Sequence, residues 1–451
     1  MSSPLRVAVV GAGPAGIYAA DILSKSGVDV SIDLIERLPA PFGLVRYGVA
    51  PDHPRIKQII VALEKILERG DIRLLANVDL GTDLSIEDLR RHYDAVIIAT
   101  GAIRDAALPI PGIELPGSFG AADFVSWYDG HPDVPRTWPL EAQQVAVIGA
   151  GNVALDVARI LAKFPHDLLP TEIPENVHQG LLANPVTDVH LFARRGPAQV
   201  KFSPLELREL GHVPDVDVLV YPEDFDFDEG SMAAIHSSNQ TKQVVKTLTD
   251  WTLKDPEELT GSRRIHLHFL HRPVAVLGED RVTGLRTERT ALAGDGSVAG
   301  TGQLHDWPVE AVYRAVGYFG SPLPGLPFDE VAGVVPNREG RVVGEDGAPV
   351  PGMYATGWIK RGPVGLIGHT KSDAAETIRH LVEDVPSLER APLRSLDDIT
   401  ALLDERGVGH VEWSGWMLLD AYEQALGAPQ GRARIKVVPR EEMIAIARGT
   451  S

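Results

Sequence analysis

The chain has 451 residues, a formal net charge of −19, 44% hydrophobic residues and 23% charged residues. This composition is typical of a globular protein of two or three domains with a large core, and the net charge argues against general nucleic-acid binding. The absence of cysteine excludes a dithiol redox centre, cysteine-ligated iron-sulfur clusters and covalently attached c-type haem.

The sequence gives no indication of a membrane-bound or secreted protein. No apolar stretch approaches the roughly 18 residues that a membrane-spanning helix needs. The first predicted strand begins at Leu5, which leaves no room for a signal peptide. We therefore expect a cytoplasmic protein without a membrane partner.

The apolar residues 7–10 of the first predicted strand are followed by the turn GAGPAG and a helix. Glycines in such a turn allow the backbone to fold sharply and approach a pyrophosphate at the helix N-terminus. The next strand, residues 30–35, ends at Glu36, which follows Gly11 by 25 residues and suits the two ribose hydroxyls of an adenosine. A turn kept glycine-rich for steric reasons alone is the alternative. The predicted dinucleotide-binding residues are Gly11, Gly13, Pro14, Ala15, Gly16, Glu36 and Arg37.

Two later strands end in the same small-residue turn. Residues 94–101 read DAVIIATG and residues 352–357 read GMYATG. Small residues allow the backbone to approach a flat ligand, so Thr100, Gly101 and Gly357 are candidate cofactor-binding residues. Similar pairs of turns occur in flavoproteins with two dinucleotide sites, which favours FAD at the first site. Each turn alone is equally compatible with an ordinary strand end.

A second fingerprint, GAGNVA, follows the predicted strand at residues 145–148. Its binding residues are predicted to be Gly149, Gly151, Asn152, Val153 and Ala154. Two cations, Arg194 and Arg195, follow the later strand at residues 189–192, where the first unit has a carboxylate. Guanidinium groups bind a 2′-phosphate through charge-assisted, bidentate hydrogen bonds, so NADP is favoured over NAD.

The spacing in this second unit is unusual. Arg194 follows Gly149 by 45 residues, whereas the usual distance is about 20 residues. We therefore expect residues 163–184 to form an excursion before the strand returns. A solvated surface pair is the alternative interpretation of the two arginines.

Four separated segments make the chain resemble the adrenodoxin reductase type of ferredoxin-NADP reductase. They read PFGLVRYGVAPDHPRIK at residues 41–57, GNVALDVARIL at 151–161, RRGPAQVKFSPLELREL at 194–210 and GWIKRGPVGLIG at 357–368. The resemblance covers residues 5–385 and implies an α/β fold of two doubly wound dinucleotide-binding domains. It implies an FAD domain (1–104 and 328–385) interrupted by an NADP domain (105–327). Beyond the part that the resemblance covers, we expect a C-terminal helical extension (386–451).

The resemblance also implies further cofactor contacts. Trp358 has an independent argument, because an aromatic residue between a small-residue turn and a glycine-rich stretch flanks a planar ligand without crowding the backbone. A core tryptophan is the alternative. The further residues implied at the flavin are Gly43, Leu44, Val45, Trp358, Gly365, Leu366 and Ile367, and Glu206 is added at the NADP site.

The acid-base candidates are His53 and Glu209, which the resemblance places near the nicotinamide, with Asp156 as an accessory. None is required as a proton donor, because hydride passes directly from nicotinamide C4 to flavin N5 and the protein contributes distance, orientation and field. The alternative for His53 is local: Asp52 caps a helix begun by Pro54, and the imidazole only packs. Glu209 lies in a helix-like stretch where a solvated face is common.

The sequence therefore predicts an FAD-dependent NADPH:ferredoxin oxidoreductase that passes electrons singly to a ferredoxin-type iron-sulfur protein. Such partners are typically acidic, and seven cations near the matched motifs are candidates for the encounter surface: Arg55, Lys57, Lys201, Arg208, Lys360, Arg361 and Lys371. The alternatives are an NADPH-dependent flavin monooxygenase and a nucleotide-binding interaction protein without turnover. The oligomeric state is left open.

The remaining segments contain no motif that indicates a separate activity, and the role of the C-terminal extension is left open. Residues 223–264 are charged and are predicted to form peripheral helices before a strand that includes IHLHFL. Beyond residue 386 we expect a short helix capped at Ser395, a second helix over WSGWMLLDAYEQALG and a loop at residues 427–434.

Overall fold

The structure, a computed structural model, describes residues 4–364 and 367–450. The chain forms two compact units and passes between them more than once. The first unit contains residues 4–104, 129–133 and 318–450 of the described chain, and the second contains residues 105–128 and 134–317. None of the helices in the described ranges combines the length and the apolar character that crossing a membrane requires.

The first unit is built on a seven-stranded sheet with Leu5–Val10 at its centre. This strand pairs in parallel with Val30–Glu36 on one side and with Ala95–Ile98 on the other. The spatial order of the strands is Asn337–Arg338, Arg341–Val343, Pro349–Ala355, Ala95–Ile98, Leu5–Val10, Val30–Glu36, Ile72–Ala76.

Helices cover both faces of this sheet, which explains why all six residues of Leu5–Val10 are buried. Val7 and Val9 pack in one core with apolar residues of helices Pro14–Ser24 and Ile367–Asp384. Ala8 and Val10 face a second core with helices Ile86–His92 and Asp398–Glu405. The helices of the unit are Pro14–Ser24, Leu44–Tyr47, Pro54–Lys57, Ile59–Leu67, Ile86–His92, Trp358–Arg361, Ile367–Asp384, Asp398–Glu405, Trp413–Gly427 and Arg440–Ala447, with short 3-10 turns at Val385–Ser387 and Ala428–Gln430.

The second unit is built on a six-stranded parallel sheet and a separate three-stranded antiparallel sheet. The parallel sheet has the order Ser118–Gly120, Ala311–Arg314, Gln144–Ile148, Asp188–Phe192, Arg263–His268, Val216–Val220. The antiparallel sheet has the order His271–Leu277, Gly284–Leu292, Val298–Trp307. Two short strands, Arg104–Asp105 and Tyr318–Phe319, lie where the chain passes between units.

The helices of the second unit include the predicted peripheral ones. They are Ala121–Tyr128, Asn152–Ala162, Glu175–Leu182, Pro204–Leu210, Glu229–Ser237 and Asn239–Thr252, with 3-10 turns at Pro165–Leu168, Pro197–Gln199, Pro222–Asp224 and Pro256–Glu258. The predicted excursion at residues 163–184 is confirmed, because a 3-10 turn and a helix fill it before the strand returns at Asp188.

One local prediction, the cap at Ser395, and one detail of the alternative for His53, the cap at Asp52, are wrong. Asp397, not Ser395, occupies the N-cap of helix Asp398–Glu405, because the Ser395 side chain accepts from the N–H of Asp397 in a turn before the helix. The helix begun by Pro54 is confirmed, but its N-cap is His53 rather than Asp52. The loop predicted at residues 427–434 contains a single 3-10 turn.

Candidate dinucleotide sites

The first candidate site lies at the carboxyl edge of the seven-stranded sheet. Strand order reverses between Leu5–Val10 and Ala95–Ile98, and ligands of doubly wound sheets bind outside such a switch point. Backbone hydrogen bonds join the strand ends here: from Gly11 to Ile35 at 2.7 Å, from Ala99 to Val10 at 2.7 Å, and from Thr356 to Ile98 at 2.9 Å. The fold thus gathers the first fingerprint, Glu36 and both ATG turns at one edge.

The fingerprint turn leaves no space for a side chain at Gly11 or Gly16. Gly11 has φ +109°, and a Cβ atom there would lie 2.5 Å from the carbonyl oxygen of Ala99. Gly13 occupies the N-cap of helix Pro14–Ser24 and has no side chain to cap it, so the first helical N–H groups are available to an anion. Ala15 and Gly16 continue the first turn of this helix.

Glu36 is buried at the end of its strand. Its carboxylate accepts hydrogen bonds from the backbone N–H groups of Ala12 at 2.8 Å and Leu38 at 3.0 Å. Burial raises the pKa of Glu36, and the two backbone hydrogen bonds and Arg37 oppose this shift. Each carboxylate oxygen can accept a further hydrogen bond, so the group can still bind ribose hydroxyls. Arg37 forms an ion pair with Asp133 at 2.5 Å.

The segment that resembles a flavin-contacting loop adjoins the fingerprint. Gly43 is the N-cap of the short helix Leu44–Tyr47, and a Cβ atom on it would lie 3.1 Å from the Cα atom of Gly13. Within the described residues, Thr100 Oγ1 is buried without a hydrogen-bond partner, and a Cβ atom on Gly101 would meet no atom within 4 Å. A buried orphan hydroxyl beside open space at a glycine-lined edge fits a dinucleotide such as FAD.

The second ATG turn reaches the same place. A Cβ atom on Gly357 would lie 2.6 Å from the Cβ atom of Ala15, so this turn approaches the first fingerprint helix closely. Gly357 is the N-cap of helix Trp358–Arg361, and Trp358 is partly exposed. Gly365 and Leu366 lie outside the described residues, as does the side chain of Ile367.

Sequence reasoning missed Asp373, which organises this second turn. Its buried carboxylate accepts from the backbone N–H of Gly357 and from Thr356 Oγ1 at 3.1 Å. The same carboxylate forms ion pairs with Lys360 at 2.9 Å and Arg361 at 2.5 Å. The only sequence signal was an acidic residue on the apolar side of the following helix, which is too common to single out.

His53 is buried in the first unit, at the N-cap of the short helix Pro54–Lys57. Its backbone N–H donates to the carbonyl of Ala50 at 3.1 Å. The other two acid-base candidates lie in the second unit, on helices Pro204–Leu210 and Asn152–Ala162.

The second candidate site lies at the carboxyl edge of the six-stranded sheet. Gly149 donates to the carbonyl of Phe192 at 3.1 Å, which joins the second fingerprint to the strand that precedes the arginines. Gly151 is the N-cap of helix Asn152–Ala162, whose first turn contains Val153 and Ala154. This is the same arrangement of strand, glycine turn and helix N-terminus as in the first unit.

Asn152 connects this turn to the helix that carries Glu206. Its Oδ1 atom accepts from the backbone N–H of Ser203 at 2.8 Å, and Ser203 caps helix Pro204–Leu210 by accepting from the N–H of Glu206. Glu206 is buried, and its Oε2 atom has no hydrogen-bond partner in the described part of the chain. Glu209 is half-buried on the same helix, and Asp156 forms an ion pair with buried Arg159 at 2.8 Å.

Arg194 and Arg195 line a cavity of about 270 Å³. A third arginine, Arg272, extends into it from the antiparallel sheet and pairs with Glu288. Sequence reasoning missed Arg272, because strand His271–Leu277 follows Arg195 by more than seventy residues and has no motif. Three guanidinium groups around one cavity suit a phosphate.

The cations proposed for an encounter surface do not all reach the surface. Lys57 is buried and pairs with Asp129 at 3.4 Å, and Lys360 is buried against Asp373. These two are therefore wrong as surface candidates, because each neutralises an internal carboxylate. The other five are exposed: Arg55, Lys201, Arg208, Arg361 and Lys371.

Comparisons with known proteins agree with this geometry. Residues 5–196 match the family model described as pyridine nucleotide-disulphide oxidoreductase. The chain is 39% identical over 464 residues to the NADPH-ferredoxin reductase FprA of Mycobacterium tuberculosis, covering 99% of this chain and all of the relative. It is 37% identical to the mitochondrial NADPH:adrenodoxin oxidoreductase of Arabidopsis thaliana, over 99% of this chain and 96% of that protein.

The chain belongs to the NADPH-ferredoxin reductase family. A solved structure of the M. tuberculosis FprA in complex with NADPH matches with a TM-score of 0.91 and 39% identity, covering 99% of this chain and all of that one. The predicted family, the predicted α/β fold of two doubly wound domains with a helical C-terminal region, and the enzyme class are thereby confirmed. The reductase family thus includes relatives of this chain from bacteria and from a plant mitochondrion.

Proposed function

We propose that this chain is an FAD-dependent NADPH:ferredoxin oxidoreductase. The observation that carries the proposal is the pair of sheet edges that each combine a glycine turn with a helix N-terminus. The carboxylate of Glu36 lies at the first edge, and Arg194 and Arg195 lie at the second. The relatives named for NADPH and for ferredoxin or adrenodoxin support the predicted oxidoreductase chemistry, the cofactors FAD and NADP, and an iron-sulfur protein as partner.

FAD is assigned to the first unit. The helix N-terminus after Gly13 would bind the pyrophosphate, and Glu36 the adenosine ribose. The orphan hydroxyl of Thr100 and the closely approached backbone of Gly43 support contacts to the rest of the cofactor. Bound FAD would accept a hydride from NADPH and release electrons one at a time.

NADP is assigned to the second unit. The glycine turn and the N-terminus of helix Asn152–Ala162 would bind its pyrophosphate, and Arg194 and Arg195 its 2′-phosphate. The buried unpartnered oxygen of Glu206 supports a hydrogen bond to a donor group of the nucleotide. Gly365, Leu366 and Ile367 remain proposed flavin contacts from the resemblance alone.

His53 and Glu209 are proposed to orient the nicotinamide, with Asp156 acting through Arg159. Hydride transfer requires these side chains only to position the nicotinamide, because no proton is transferred with the hydride. Burial of His53 supports a fixed orientation of its ring.

The proposal includes the domain division 1–104, 105–327, 328–385 and 386–451, and a cytoplasmic location. The two compact units support the division, with residues 129–133 and 318–327 lying in the first unit. The C-terminal extension belongs to that same unit.

The test is coupled electron transfer under air. Purified protein is mixed with NADPH, a ferredoxin and cytochrome c as the terminal acceptor, and cytochrome reduction is compared with NADPH consumption. We expect one NADPH to yield two reduced cytochromes, with little hydrogen peroxide.

Two other outcomes would replace the proposal. NADPH oxidation that is coupled to hydroxylation of an organic substrate would indicate a flavin monooxygenase. A bound flavin that NADPH never reduces would indicate a nucleotide-binding protein without turnover.

A further inference from the structure

The turn that carries Gly43, Leu44 and Val45 begins in a strained conformation. Phe42 is buried and has φ +83°, a region that bulky L-residues rarely adopt, and Gly43 follows with φ +50°. The N–H of Phe42 donates to the carbonyl of Ala12 at 2.8 Å. Such a conformation persists only where the surrounding structure holds it.

Helix Trp413–Gly427, far along the chain, supplies two of the groups that hold the turn. The ring of Trp416 meets that of Phe42 edge to face, with centroids 5.7 Å apart. Glu423 is fully buried and pairs with buried Arg46 at 2.5 Å, although 377 residues separate them in sequence. The Arg46 guanidinium also lies 5.1 Å from the centre of the Trp416 ring.

The segment after this helix contacts the same turn. The ammonium group of Lys436 donates to the backbone carbonyl of Arg46 at 2.6 Å and to that of Asp129 at 3.0 Å. The backbone N–H of Val437 donates to Glu423 at 3.0 Å, which orients the carboxylate toward Arg46. Side-chain and backbone contacts from one C-terminal segment therefore converge on the end of the turn.

We propose that residues 413–438, here termed the C-terminal clamp, position the turn at residues 42–47 for FAD, with Glu423 and Lys436 as positioning residues. The inference rests on the proposed function, which assigns Gly43, Leu44 and Val45 to the flavin. The clamp holds the strained turn in the apoprotein, so FAD binds a preformed surface and does not have to order it.

The ion pair between Arg46 and Glu423 makes the clamp testable by a small change. Glu423→Gln keeps the side chain's shape but leaves the charge of Arg46 buried without its counter-ion, which is strongly disruptive. Asp420→Asn is the matched control. Asp420 is buried one turn earlier on the same helix and pairs with Arg434, a residue of the clamp itself.

The experiment compares the two variants in the full-length protein. Hydrogen exchange of the amides at residues 42–47 is measured in the apoprotein by mass spectrometry, and FAD affinity by titration of flavin fluorescence. We expect Glu423→Gln to speed exchange in the turn and to weaken FAD binding at least about tenfold, whereas Asp420→Asn lowers the Tm and leaves FAD affinity within about twofold.

Equal effects of the two variants on exchange and affinity would overturn the inference, as would a Glu423→Gln protein with unchanged exchange in the turn. If Glu423→Gln does not fold, Lys436→Met decides by the same two readouts. If the proposed function is wrong, the wild-type protein takes up no FAD. The exchange comparison then still tests whether the clamp holds the turn.

Discussion

At the residue scale, the two nucleotide sites differ in the charge that follows the second strand of each unit. Glu36 is the last residue of strand Val30–Glu36. Its carboxylate suits ribose hydroxyls and repels a 2′-phosphate. Arg194 and Arg195 stand at the corresponding place in the second unit and line a cavity with Arg272. We therefore expect nucleotide selectivity to depend on these few side chains.

Replacing both Arg194 and Arg195 with Ala should raise the KM for NADPH and leave that for NADH nearly unchanged. We expect an increase of about tenfold to a hundredfold, because a hydrogen bond between charged groups contributes about 1.5–3 kcal/mol. Steady-state kinetics with both nucleotides measure it. Arg281→Ala, an exposed arginine of the same unit, is the control. Equal losses for NADPH and NADH would show that the 2′-phosphate binds elsewhere.

Replacing His53 with Ala should slow flavin reduction by NADPH without abolishing it. The role proposed for the side chain is to position the reactants, with no proton carried in the hydride step, so a loss of about tenfold, equivalent to about 1.4 kcal/mol in the barrier, is expected. Anaerobic stopped-flow absorbance gives the rate. His53→Gln, which keeps a polar group of similar reach, should lose less. Complete loss of reduction in a protein that still binds FAD would instead assign His53 an essential chemical role.

The residues whose place in the fold could be predicted from the sequence are those that depend on neighbours in sequence. Gly11, Gly13 and Glu36 belong to one strand-turn-helix-strand unit, so their spacing carries the information. Asp373 and the pair of Arg46 with Glu423 could not be predicted, because their partners meet only in the folded unit. The burial of Lys57 was missed for the same reason, since composition does not reveal that Asp129 lies beside it.

At the scale of elements, strands Asp188–Phe192 and Arg263–His268 carry a set of histidines on one face. His190 and His268 share a hydrogen bond at 3.1 Å, and His266 bonds Asp188 at 2.9 Å. Burial lowers the pKa of His190 to about 4 and that of His268 to about 2, and neighbouring histidines add to the shift at each. Asp188, which accepts a hydrogen bond from the Gln144 side chain, also lies beside them. The other titratable and charged groups around them are Tyr221, Arg264, His271, Arg289 and His305.

These histidines predict a loss of stability in mild acid. In the unfolded chain they bind protons near pH 6.5, whereas in the folded chain they stay neutral to lower pH, so the stabilisation is present above about pH 6.5 and declines as the pH falls toward 4. The urea midpoint measured between pH 8 and pH 4.5 should fall accordingly. His268→Phe, which keeps an aromatic ring against Phe192 and Trp307, should flatten this dependence. An unchanged slope in that variant would contradict the assignment.

At the scale of the whole molecule, the net charge of −19 conceals local cations suited to an acidic electron carrier. Five of the seven cations near the family motifs are exposed in the structure. Reoxidation of the pre-reduced enzyme by ferredoxin should therefore slow several-fold when ionic strength rises from about 0.01 M to about 1 M, since the Debye length shrinks from about 30 Å to about 3 Å. Stopped-flow reoxidation by the neutral acceptor oxygen is the control. A ferredoxin rate that does not respond to salt would exclude electrostatic docking.

The fold class could be predicted from the sequence, because each fingerprint specifies a strand, a turn and a helix. The return of residues 129–133 to the first unit was not, because no motif marks that short passage. Both dinucleotide-binding edges nevertheless follow from the same rule, that ligands bind where strand order reverses.

The proposed function requires that FAD bound by the first unit is reduced by a nicotinamide nucleotide that carries a 2′-phosphate. Anaerobic stopped-flow absorbance of the purified protein measures this reduction. We expect one FAD per chain, whose visible absorbance is bleached rapidly by NADPH and slowly by NADH at the same concentration, roughly in the ratio of their affinities. A protein that binds no flavin, or a flavin that NADH bleaches as fast as NADPH, would contradict it.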